Sequence, residues 1–312
     1  MNSPRFCMTV DTDEWYQIRW VTGMQGSLWP DTQTFFREYY HSDKPTGELR
    51  AGVERLLGVF ERVGVKATFF TLGEAAQHYP DVVAAIAAAG HEIACHSLYH
   101  TDLFRLSDAE FERDLRAAKE ILESVSGQKV TGFRAPSLTL EARHAAVLRR
   151  CGFRYDSSLS NLRPMFGKYR GFHGTPQVPY EMAEDQLRRP GNSGLVELPI
   201  PSMPLLHIPA SMVIVHRILG SWYCRLAIGA ALRRGYGMYY CHPYDLNPAP
   251  RLEGHTLKWK HRVFLRRLGP WYARELEVML RWIAARGAQF VRCGELAETV
   301  GRGGDCRLPI EN

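Results

Sequence analysis

The sequence lacks several features that would assign it to common classes of protein. None of its seven cysteines forms a CxxC pair, and their odd number is typical of a reduced chain in which thiols pack as small apolar side chains. The longest apolar stretch, 205–231, is interrupted by polar residues and falls short of the roughly 18 residues that a membrane-spanning helix needs. The first residues show no apolar signal region. We therefore expect a cytoplasmic protein, with membrane association as the alternative.

A nucleotide-binding glycine fingerprint, internal repeats and low-complexity linkers are missing as well. What is present is an apolar content of 45% in 312 residues, which is enough for a large core. Short apolar runs alternate with stretches of helical period, and this alternation predicts parallel strands joined by helices. The predicted strands are 6–11, 66–72, 92–96, 130–136, 155–158, 195–201, 237–242 and 288–293, and the predicted helices are 47–63, 80–89, 108–126, 141–151, 209–234 and 270–286.

Helix-end signals support this pattern. Ser107 and Glu110 form a capping box before 108–126, and a glycine follows most of the predicted helices. Seven or eight such units predict an α/β fold, a distorted (β/α)7–8 barrel, in one domain over 1–300. Irregular regions rich in aromatic residues are expected to cover the mouth of the barrel. Within this domain lie the insert 15–45, the loop 160–194 and the C-terminal extension 244–300, and the tail 301–312 follows it.

Two histidines four residues apart, His96 and His100, suggest a metal site. A helical turn between them would place both imidazoles on one face. Asp11 and Asp13 close another apolar run, so each group lies where a buried strand is expected to end. Two imidazoles and one carboxylate suit Zn²⁺ best, with Co²⁺, Ni²⁺, Mn²⁺ and Fe²⁺ as alternatives. The competing interpretation is that both histidines are ordinary core or surface residues.

Other polar residues also lie at the predicted carboxyl ends of strands. They are Arg134 at the end of the fourth strand, Asp156 at the fifth and His242 at the end of the seventh. In a parallel barrel these ends meet at one face, so we expect them to join the aspartates and histidines in a single cluster. Each residue alone could be a turn charge, a cap or a core histidine. Their coincidence at strand ends favours a functional site.

Five short motifs then resemble one known family when they are taken in order. They are Thr-Val-Asp-Thr-Asp (9–13), His-Ser-Leu-Tyr-His (96–100), Phe-Arg-Ala-Pro-Ser (133–137), Tyr-Asp-Ser-Ser (155–158) and Tyr-Tyr-Cys-His-Pro (239–243). The order resembles that of the polysaccharide deacetylases, which are carbohydrate esterase family 4 with the NodB homology domain. The stretch His-Pro-Tyr-Asp after the last motif looks closest to the branch found in bacterial exopolysaccharide loci.

The resemblance covers roughly residues 6–300 and implies a distorted (β/α) barrel. It also implies a metal-dependent hydrolase that removes the N-acetyl group from an N-acetylated sugar of a bacterial polysaccharide or its precursor. Carried over by position, Asp13, His96 and His100 look like the metal ligands, Asp11 the general base, His242 the general acid, Arg134 the residue that orients the base, and Asp156 the carboxylate that tunes the acid. The expected substrate contacts are Ser137, Tyr240, Trp15 and Tyr99.

Two positions depart from the family pattern. Thr12 separates Asp11 from Asp13, which are adjacent in most of the family, so base and ligand could exchange roles or Glu14 could enter the site. Tyr240 stands where a leucine usually lines the acetyl pocket. This second departure keeps open a deformylase or an allantoinase-like hydrolase of another C–N bond. A non-catalytic carbohydrate-binding barrel is the alternative from a different class, and it would require a broken site.

The predicted partner is an N-acetylated sugar, free or lipid-linked, and no nucleic acid is expected. The aromatic residues of 15–45 either stack on sugar rings or form the insert's own small core. The segment 251–274 is basic and interleaved with apolar residues. It is predicted either to touch an anionic membrane surface or, as we favour, to be an ordinary amphipathic helix packed on the core.

Overall fold

Each predicted strand forms in the computed structural model, which describes residues 3–162, 172–203, 206–210 and 212–301. Most strands are shorter than the apolar runs that predicted them, because the pairing stops before the apolar pattern does. A short strand at 180–181 was not predicted. The strands are β1 (Arg5–Thr12), β2 (Thr68–Thr71), β3 (Glu92–Cys95), β4 (Gly132–Phe133), β5 (Tyr155–Asp156), β6 (Tyr180–Glu181), β7 (Val196–Glu197), β8 (Tyr236–Cys241) and β9 (Gln289–Phe290).

The strands form one curled sheet in the order β6-β7-β5-β4-β3-β2-β1-β8, and β9 pairs with β1. The pairs are parallel, except that β6 runs antiparallel to β7. Between β7 and β8 the described backbone makes isolated bridges, Ser202 with Pro209 and Met212 with Tyr240. Between β7 and β8 the sheet is therefore closed by irregular backbone, whereas a regular barrel would have continuously hydrogen-bonded strands there. The predicted fold class, a distorted (β/α) barrel, is confirmed.

Helices cover the outside of this sheet and agree with most of the predicted ones. The capping box at Ser107 is present, since its hydroxyl accepts the Glu110 N–H and the Glu110 carboxylate accepts the Ser107 N–H. The predicted helix 209–234 is interrupted at Gly220, whose φ is 84°. The helices are α1 (Thr32–Phe35), α2 (Glu48–Val63), α3 (Gly73–His78), α4 (Pro80–Ala88), α5 (Asp108–Ser126), α6 (Ala142–Arg150), α7 (Val213–Leu219), α8 (Ser221–Leu232), α9 (Trp259–Phe264), α10 (Pro270–Ala284) and α11 (Cys293–Gly301).

Short non-α turns complete the described chain. They are 3₁₀ helices at Trp15–Gln17, Leu103–Arg105, Pro136–Leu138 and Pro243–Leu246, and a π-helical turn at Phe36–Tyr40. Three predicted parts fall partly outside the described residues, namely 163–171 of the loop, 211 of the interrupted helix and 302–312 of the tail.

β1 is the next-to-last strand of the sheet, lies between β2 and β8, and carries Asp11 near its end. Along one edge it pairs with β8, with Val10 opposite Cys241, and along the other it pairs with β2, with Asp11 opposite Phe70. Its first two residues also pair with β9. A strand that is covered on both faces and paired on both edges favours a continuous apolar run, and all seven residues from Phe6 to Thr12 are buried.

The aromatic residues of the insert 15–45 form its own core. Trp15, Tyr16, Trp29, Phe35 and Phe36 are all buried in one cluster. The Trp15 ring meets the Phe35 ring edge-on at 5.1 Å, which is a favourable aromatic geometry. Of the two interpretations of this insert, packing is therefore the one that the structure supports.

The segment 251–274 contains α9, whose apolar side packs against the insert. The His261 ring stacks on Trp20 at 4.3 Å, and the Phe264 ring meets the same indole at 5.9 Å. Trp259 points outward and is 76% exposed. Within the described residues no helix is long and apolar enough to cross a membrane.

Candidate active site

The carboxyl ends of the strands surround one cavity of about 200 Å³. Parallel strands bring their ends to the same rim, so residues distant in sequence meet there. The residues from the five motifs that line the cavity are Asp11, Asp13, His96, His100, Ser137, Tyr240 and His242. The sequence-predicted cluster thus exists, and its members divide into a carboxylate–arginine pair, a group of possible metal ligands and a carboxylate–imidazole pair.

Asp11 is paired with Arg134. The Arg134 Nη1 atom lies 2.6 Å from Asp11 Oδ1, and both side chains are buried. Burial alone would raise the pKa of Asp11, but the charges of Arg134, His96 and His242 together lower it below its ordinary value. Asp11 is therefore ionised at neutral pH and held in one orientation, as a general base requires.

Arg134 is itself held by the end of β5. Its Nε donates to the Ser157 carbonyl at 2.9 Å, and its Nη2 donates to the Ser157 hydroxyl at 2.9 Å. Asp156 supports this arrangement because its carboxylate accepts both the N–H and the hydroxyl of Ser158, whose oxygen in turn accepts the Ala135 N–H. Asp156 therefore holds together the end of β4, which carries Arg134, and the end of β5, which binds it.

Asp13 lies beside both histidines. Its Oδ2 is 3.9 Å from His100 Nε2, and its Oδ1 is buried with no hydrogen-bond partner among the described residues. Burial raises the pKa of Asp13 to about 7, although the charge of His242 opposes this rise. The His96 and His100 rings are 5.3 Å apart, and burial lowers the pKa of His100 to about 3. A buried carboxylate oxygen without a hydrogen-bond partner and a neutral buried imidazole are both typical of side chains that bind a metal cation.

The tautomer of His96 follows from its hydrogen bond. Its Nδ1 lies 2.7 Å from the Arg134 carbonyl oxygen, which can only accept. Nδ1 therefore carries the proton and Nε2 keeps a lone pair. A backbone carbonyl that fixes the far nitrogen in this way is the usual support of a metal-binding imidazole.

The backbone between the histidines is not helical, which corrects the predicted geometry. Ser97 has φ of 75°, in the left-handed region that is uncommon for residues other than glycine. The turn is held because Gly73 and Glu74 donate their N–H groups to the carbonyls of Ser97 and Leu98. The two rings thus converge through an irregular turn docked on α3.

This donor set fits a divalent cation in its chemistry. It offers one carboxylate oxygen without a partner, one imidazole with a defined free nitrogen and a second imidazole that burial keeps neutral. Two donors about 2.1 Å from one ion lie at most about 4.2 Å apart, and Asp13 and His100 are within that limit. However, no three His, Cys, Asp or Glu side chains of the described chain form a closed ligating group as they stand. Binding would require these side chains to draw together.

His242 is paired with Asp245, which sequence reasoning did not assign to the site. The His242 Nδ1 atom lies 2.9 Å from Asp245 Oδ2, and the same oxygen accepts the His242 backbone N–H at 2.9 Å. Asp156 was predicted to tune His242, but its carboxylate instead binds Ser158 and adjoins Glu197. The reason is local: the turn after Pro243 brings Asp245 back onto the imidazole three residues earlier. The spacing His-Pro-x-Asp is the sequence signal from which the pairing of Asp245 with His242 could have been predicted.

The surrounding carboxylates keep His242 protonated. Burial, the largest influence, favours the neutral ring, but the negative charges of Asp13 and Asp245 outweigh it and raise the pKa of His242 to about 9. Because Nδ1 is bound to Asp245, Nε2 is the nitrogen left to donate a proton into the cavity. The ring is also stacked on Tyr244 at 4.6 Å, which fixes its plane.

Tyr240 and Ser137 line the same cavity. The Tyr240 ring centre is 5.6 Å from that of His242, edge-on, so this phenol borders the space next to the predicted acid. Ser137 and Leu138 have φ of 53° and 56°, which is unusual for either residue. Strained backbone of this kind is concentrated at functional sites, and here it turns the Phe-Arg-Ala-Pro-Ser motif into the cavity wall.

Three other sequence-based expectations have different outcomes. Trp15 is 4% exposed and its Nε1 donates to Glu48 at 2.6 Å, so the prediction that it contacts substrate is wrong. Glu14 points away from the cavity, since its Oε1 accepts the Leu49 N–H. Tyr99 is 50% exposed and lines an adjoining cleft of about 330 Å³ that shares His100 with the central cavity. The role of Tyr99 therefore stays a prediction.

Comparison with known sequences gives the relationship of the chain. The profile of the family named polysaccharide deacetylase matches residues 42–155. A peptidoglycan deacetylase-like protein, FGM2 of Gibberella zeae, is 37% identical over 113 residues, covering 36% of this chain and 33% of its own. A peptidoglycan-N-acetylglucosamine deacetylase of Bacillus cereus is 34% identical over 82 residues, covering 26% and 30%. The chain spans about a third of the length of these relatives.

Solved structures agree in fold over nearly the whole chain. A structure from Mycobacterium smegmatis, assigned to the polysaccharide deacetylases, has a TM-score of 0.65 at 21% identity and covers 97% of this chain and 92% of that one. The PuuE allantoinase has the same TM-score at 16% identity and the same coverage. At these identities the likeness concerns the fold. The predicted resemblance is therefore found in sequence over residues 42–155 and in fold over nearly the whole chain: this chain is similar to the polysaccharide deacetylases.

Proposed function

We propose that this chain, as a relative of the polysaccharide deacetylases, hydrolyses the N-acetyl amide of an N-acetylated sugar from a bacterial polysaccharide or its precursor, with a divalent metal ion as cofactor. One observation carries the proposal. The pair of Asp11 with Arg134 and the pair of His242 with Asp245 open into the same cavity. The first pair keeps a carboxylate ionised and the second keeps an imidazole protonated, which is what a base and an acid in amide hydrolysis need.

Asp11 is suited to take a proton from the attacking water. Its Oδ1 is occupied by Arg134, so the other carboxylate oxygen is the one left for that water. The guanidinium cannot release its own proton at any working pH, and it therefore orients the base without competing with it. A divalent cation bound by Asp13, His96 and His100 would polarise the acyl carbonyl and make water more acidic.

His242 is suited to give a proton to the leaving amine. Amines leave poorly as anions, so the C–N bond breaks only if the nitrogen is protonated as it departs. The Nε2–H of His242 is available for this, and Asp245 stabilises the imidazolium before the transfer. Tyr244 and Asp245 hold the ring in place during the reaction.

The size and lining of the site suit a single sugar unit with room beside it. The central cavity of about 200 Å³ is smaller than the 300–1,000 Å³ typical of sites for drug-sized ligands. The adjoining cleft is lined by polar side chains such as Gln17 and Glu74 as well as by Tyr99. An N-acetylhexosamine could place its acyl group in the cavity and its hydroxyl groups, or a linked residue, in the cleft.

Acetate release tests this function directly. The purified protein, with added Zn²⁺ or with a chelator, is incubated with N-acetylated monosaccharides, chitooligosaccharides and lipid-linked N-acetylhexosamines, and free acetate is measured. We expect acetate from at least one class of sugar, and only when metal is present. Absence of acetate from every substrate with the metal-loaded protein would reject the proposal.

Tyr240 favours a second candidate, a hydrolase of a different small acyl group or another C–N bond such as an allantoinase-like enzyme. A phenol beside the acid leaves less room than leucine. We expect Tyr240→Leu to admit propionyl sugars while retaining acetyl activity, since each accommodated methylene is worth about 1–3 kcal/mol in transition-state binding. Relative rates on formyl, acetyl and propionyl sugars and on allantoin measure this. Tyr99→Leu, altered in the adjoining cleft, is the matched control, and an identical acyl profile for both variants would remove Tyr240 from the acyl pocket.

The metal part of the proposal has a readout independent of activity. We expect His96→Ala to lose the bound divalent ion without unfolding, because a large α/β core does not depend on a metal as a zinc finger does. Elemental analysis of the purified variant, alongside circular dichroism, measures both. His41→Ala, in an exposed part of the insert, should keep the metal content of the unaltered protein. Equal metal in the two variants would show that His96 is not a ligand.

For a lipid-linked substrate, we also propose that the segment 251–274 contacts the membrane surface. Trp259 is 76% exposed and is flanked by the exposed Lys258 and Lys260. Tryptophan and lysine together suit the boundary between lipid headgroups and acyl chains. We expect the protein to sediment with vesicles rich in phosphatidylglycerol, and Trp259→Ala to reduce the bound fraction. If Trp259→Ala and the exposed Trp222→Ala bind equally, this segment is not the contact.

A further inference from the structure

Arg217 is a buried cation in the wall of the central cavity that the proposed reaction does not use. It lies on α7, is 2% exposed and lines the cavity next to Tyr244 and Phe264. Within the described part of the chain, none of its three guanidinium nitrogens has a hydrogen-bond partner. A buried guanidinium without hydrogen-bond partners is costly, so its position in a cavity wall points to a ligand.

Arg134, the other buried arginine of the site, is an example of a guanidinium that binds only groups of the protein itself. Each nitrogen of Arg134 is bound within the protein, to Ser157 through Nε and Nη2 and to Asp11 through Nη1. Among the described residues, each nitrogen of Arg217 lacks a hydrogen bond, although the Arg217 and Arg134 side chains are both buried. Its guanidinium carbon is 5.3 Å from the centre of the Phe264 ring, a cation–π contact that is not a hydrogen bond.

The carboxylate nearest to Arg217 does not satisfy this edge. Asp245 Oδ1 is 3.5 Å from Arg217 Nη2 and forms an ion pair without a hydrogen bond. The other oxygen of Asp245 already accepts two N–H groups of His242. A guanidinium offers five N–H donors in a planar fork, so most of them remain unmatched beside one shared carboxylate.

We propose that Arg217 binds an oxyanion carried by the substrate, so that the N-acylated sugar is a charged one with a carboxylate or a phosphate. The planar fork matches both groups with two parallel hydrogen bonds. Val213, Ile214 and Phe264 also line the cavity, and their apolar surfaces limit water and strengthen a charge-assisted contact. The inference rests on the proposed function and narrows its substrate class to uronate-type sugars or sugar phosphates.

The experiment compares three sugars that share the N-acetyl group. They are N-acetylglucosamine, N-acetylglucosamine 1-phosphate and N-acetylglucosaminuronic acid, and kcat/KM for acetate release is measured for each. We expect one of the charged sugars to exceed the neutral one by roughly 10- to 100-fold, since a hydrogen bond to a charged group contributes about 1.5–3 kcal/mol. Which charged sugar is preferred distinguishes a carboxylate from a phosphate. In Arg217→Met the ratio of charged to neutral sugar should fall towards one.

Two further variants separate recognition from structure. Arg217→Lys keeps the positive charge and lacks the fork, so it should retain part of the preference. Arg233→Met alters an exposed arginine just after α8 and should retain all of it. If Arg217→Met lowers kcat/KM equally for the three sugars and leaves their ratio unchanged, Arg217 has a structural role only and the inference is wrong.

Calorimetric binding of the charged sugars to the metal-loaded protein keeps this inference distinct from the proposed reaction. Binding that is lost in Arg217→Met while no acetate appears would preserve the anion site and reject deacetylation. Acetate release with no preference for charge, and no effect of Arg217→Met on the ratio, would preserve deacetylation and reject the anion site. Circular dichroism of Arg217→Met and Arg217→Lys shows whether each variant folds. The binding and rate measurements are interpreted only for a variant that does.

Discussion

His242→Ala is expected to lower turnover about 10²–10⁴-fold while the protein keeps its fold and its bound metal, because a general acid contributes about that much to the rate. His242 lines the cavity through one nitrogen and is tied to Asp245 through the other, so its loss removes the proton donor and leaves the proposed ligands in place. Acetate release, metal analysis and circular dichroism are measured together. His78→Ala, exposed near the end of α3, is the control. Equal activity of the two variants would remove His242 from the mechanism.

Asp245→Asn tests the same acid through its pH dependence. Burial favours the neutral imidazole of His242, and the carboxylates of Asp13 and Asp245 raise its pKa to about 9 against that influence. An amide in place of Asp245 can still accept the hydrogen bond but carries no charge, so the pKa of His242 should fall. The imidazolium is then lost at lower pH, and the alkaline limit of kcat should move down. An unchanged alkaline limit would show that Asp245 does not act on His242.

Arg134→Met is expected to reduce the free energy of unfolding by about 3–5 kcal/mol, the usual cost of removing one partner of a buried ion pair. Asp11 would lose its charge partner in a site that is almost inaccessible to water, and the Ser157 hydroxyl and carbonyl would lose their donors. The charge of Arg134 also lowers the pKa of Asp11, so this pKa should rise in the variant. Urea denaturation measures the first effect, and the acid limit of activity, shifted to higher pH, measures the second.

An exposed arginine supplies the matched control for that experiment. Arg116 donates to Glu112 at 2.7 Å on the surface of α5, with 59% of its side chain exposed. Exposed ion pairs contribute little to stability, so Arg116→Met should leave the denaturation midpoint unchanged. If both variants unfold at the same urea concentration, the buried pair is not the stabilising element that its geometry indicates.

The parts of the site that could be predicted from the sequence are those that depend on the sheet. Asp11, His96 and Arg134 lie at ends of parallel strands, and an apolar run followed by a polar residue is a readable signal for such an end. Because parallel topology brings these strand ends to one rim, residues distant in sequence could be predicted to lie in one cluster. The helix boundaries were readable for a similar reason, since the capping box at Ser107 is a local feature.

The parts that could not be predicted depend on contacts that composition does not record. Asp245 and Asp156 are both carboxylates near strand ends, and the backbone turn at Pro243 decides which one reaches His242. The histidine turn deviates from a helix because α3 holds the carbonyls of Ser97 and Leu98, a contact more than twenty residues distant in sequence. Trp15 was equally compatible with a sugar platform and with a core until its neighbours were known.

The pairing of β1 with β8 has a consequence for the order in which the protein folds. Cys7 lies opposite Met238, so the two strands that carry Asp11 and precede His242 are separated by most of the chain. Contacts of such separation form late, because a long loop must close before they are gained. During synthesis the segment with His96 and Arg134 can pack its local helices and strands first, whereas base and acid cannot meet until residues 236–241 have emerged. A nascent or C-terminally shortened chain would therefore carry most of the motif residues and no assembled acid–base pair.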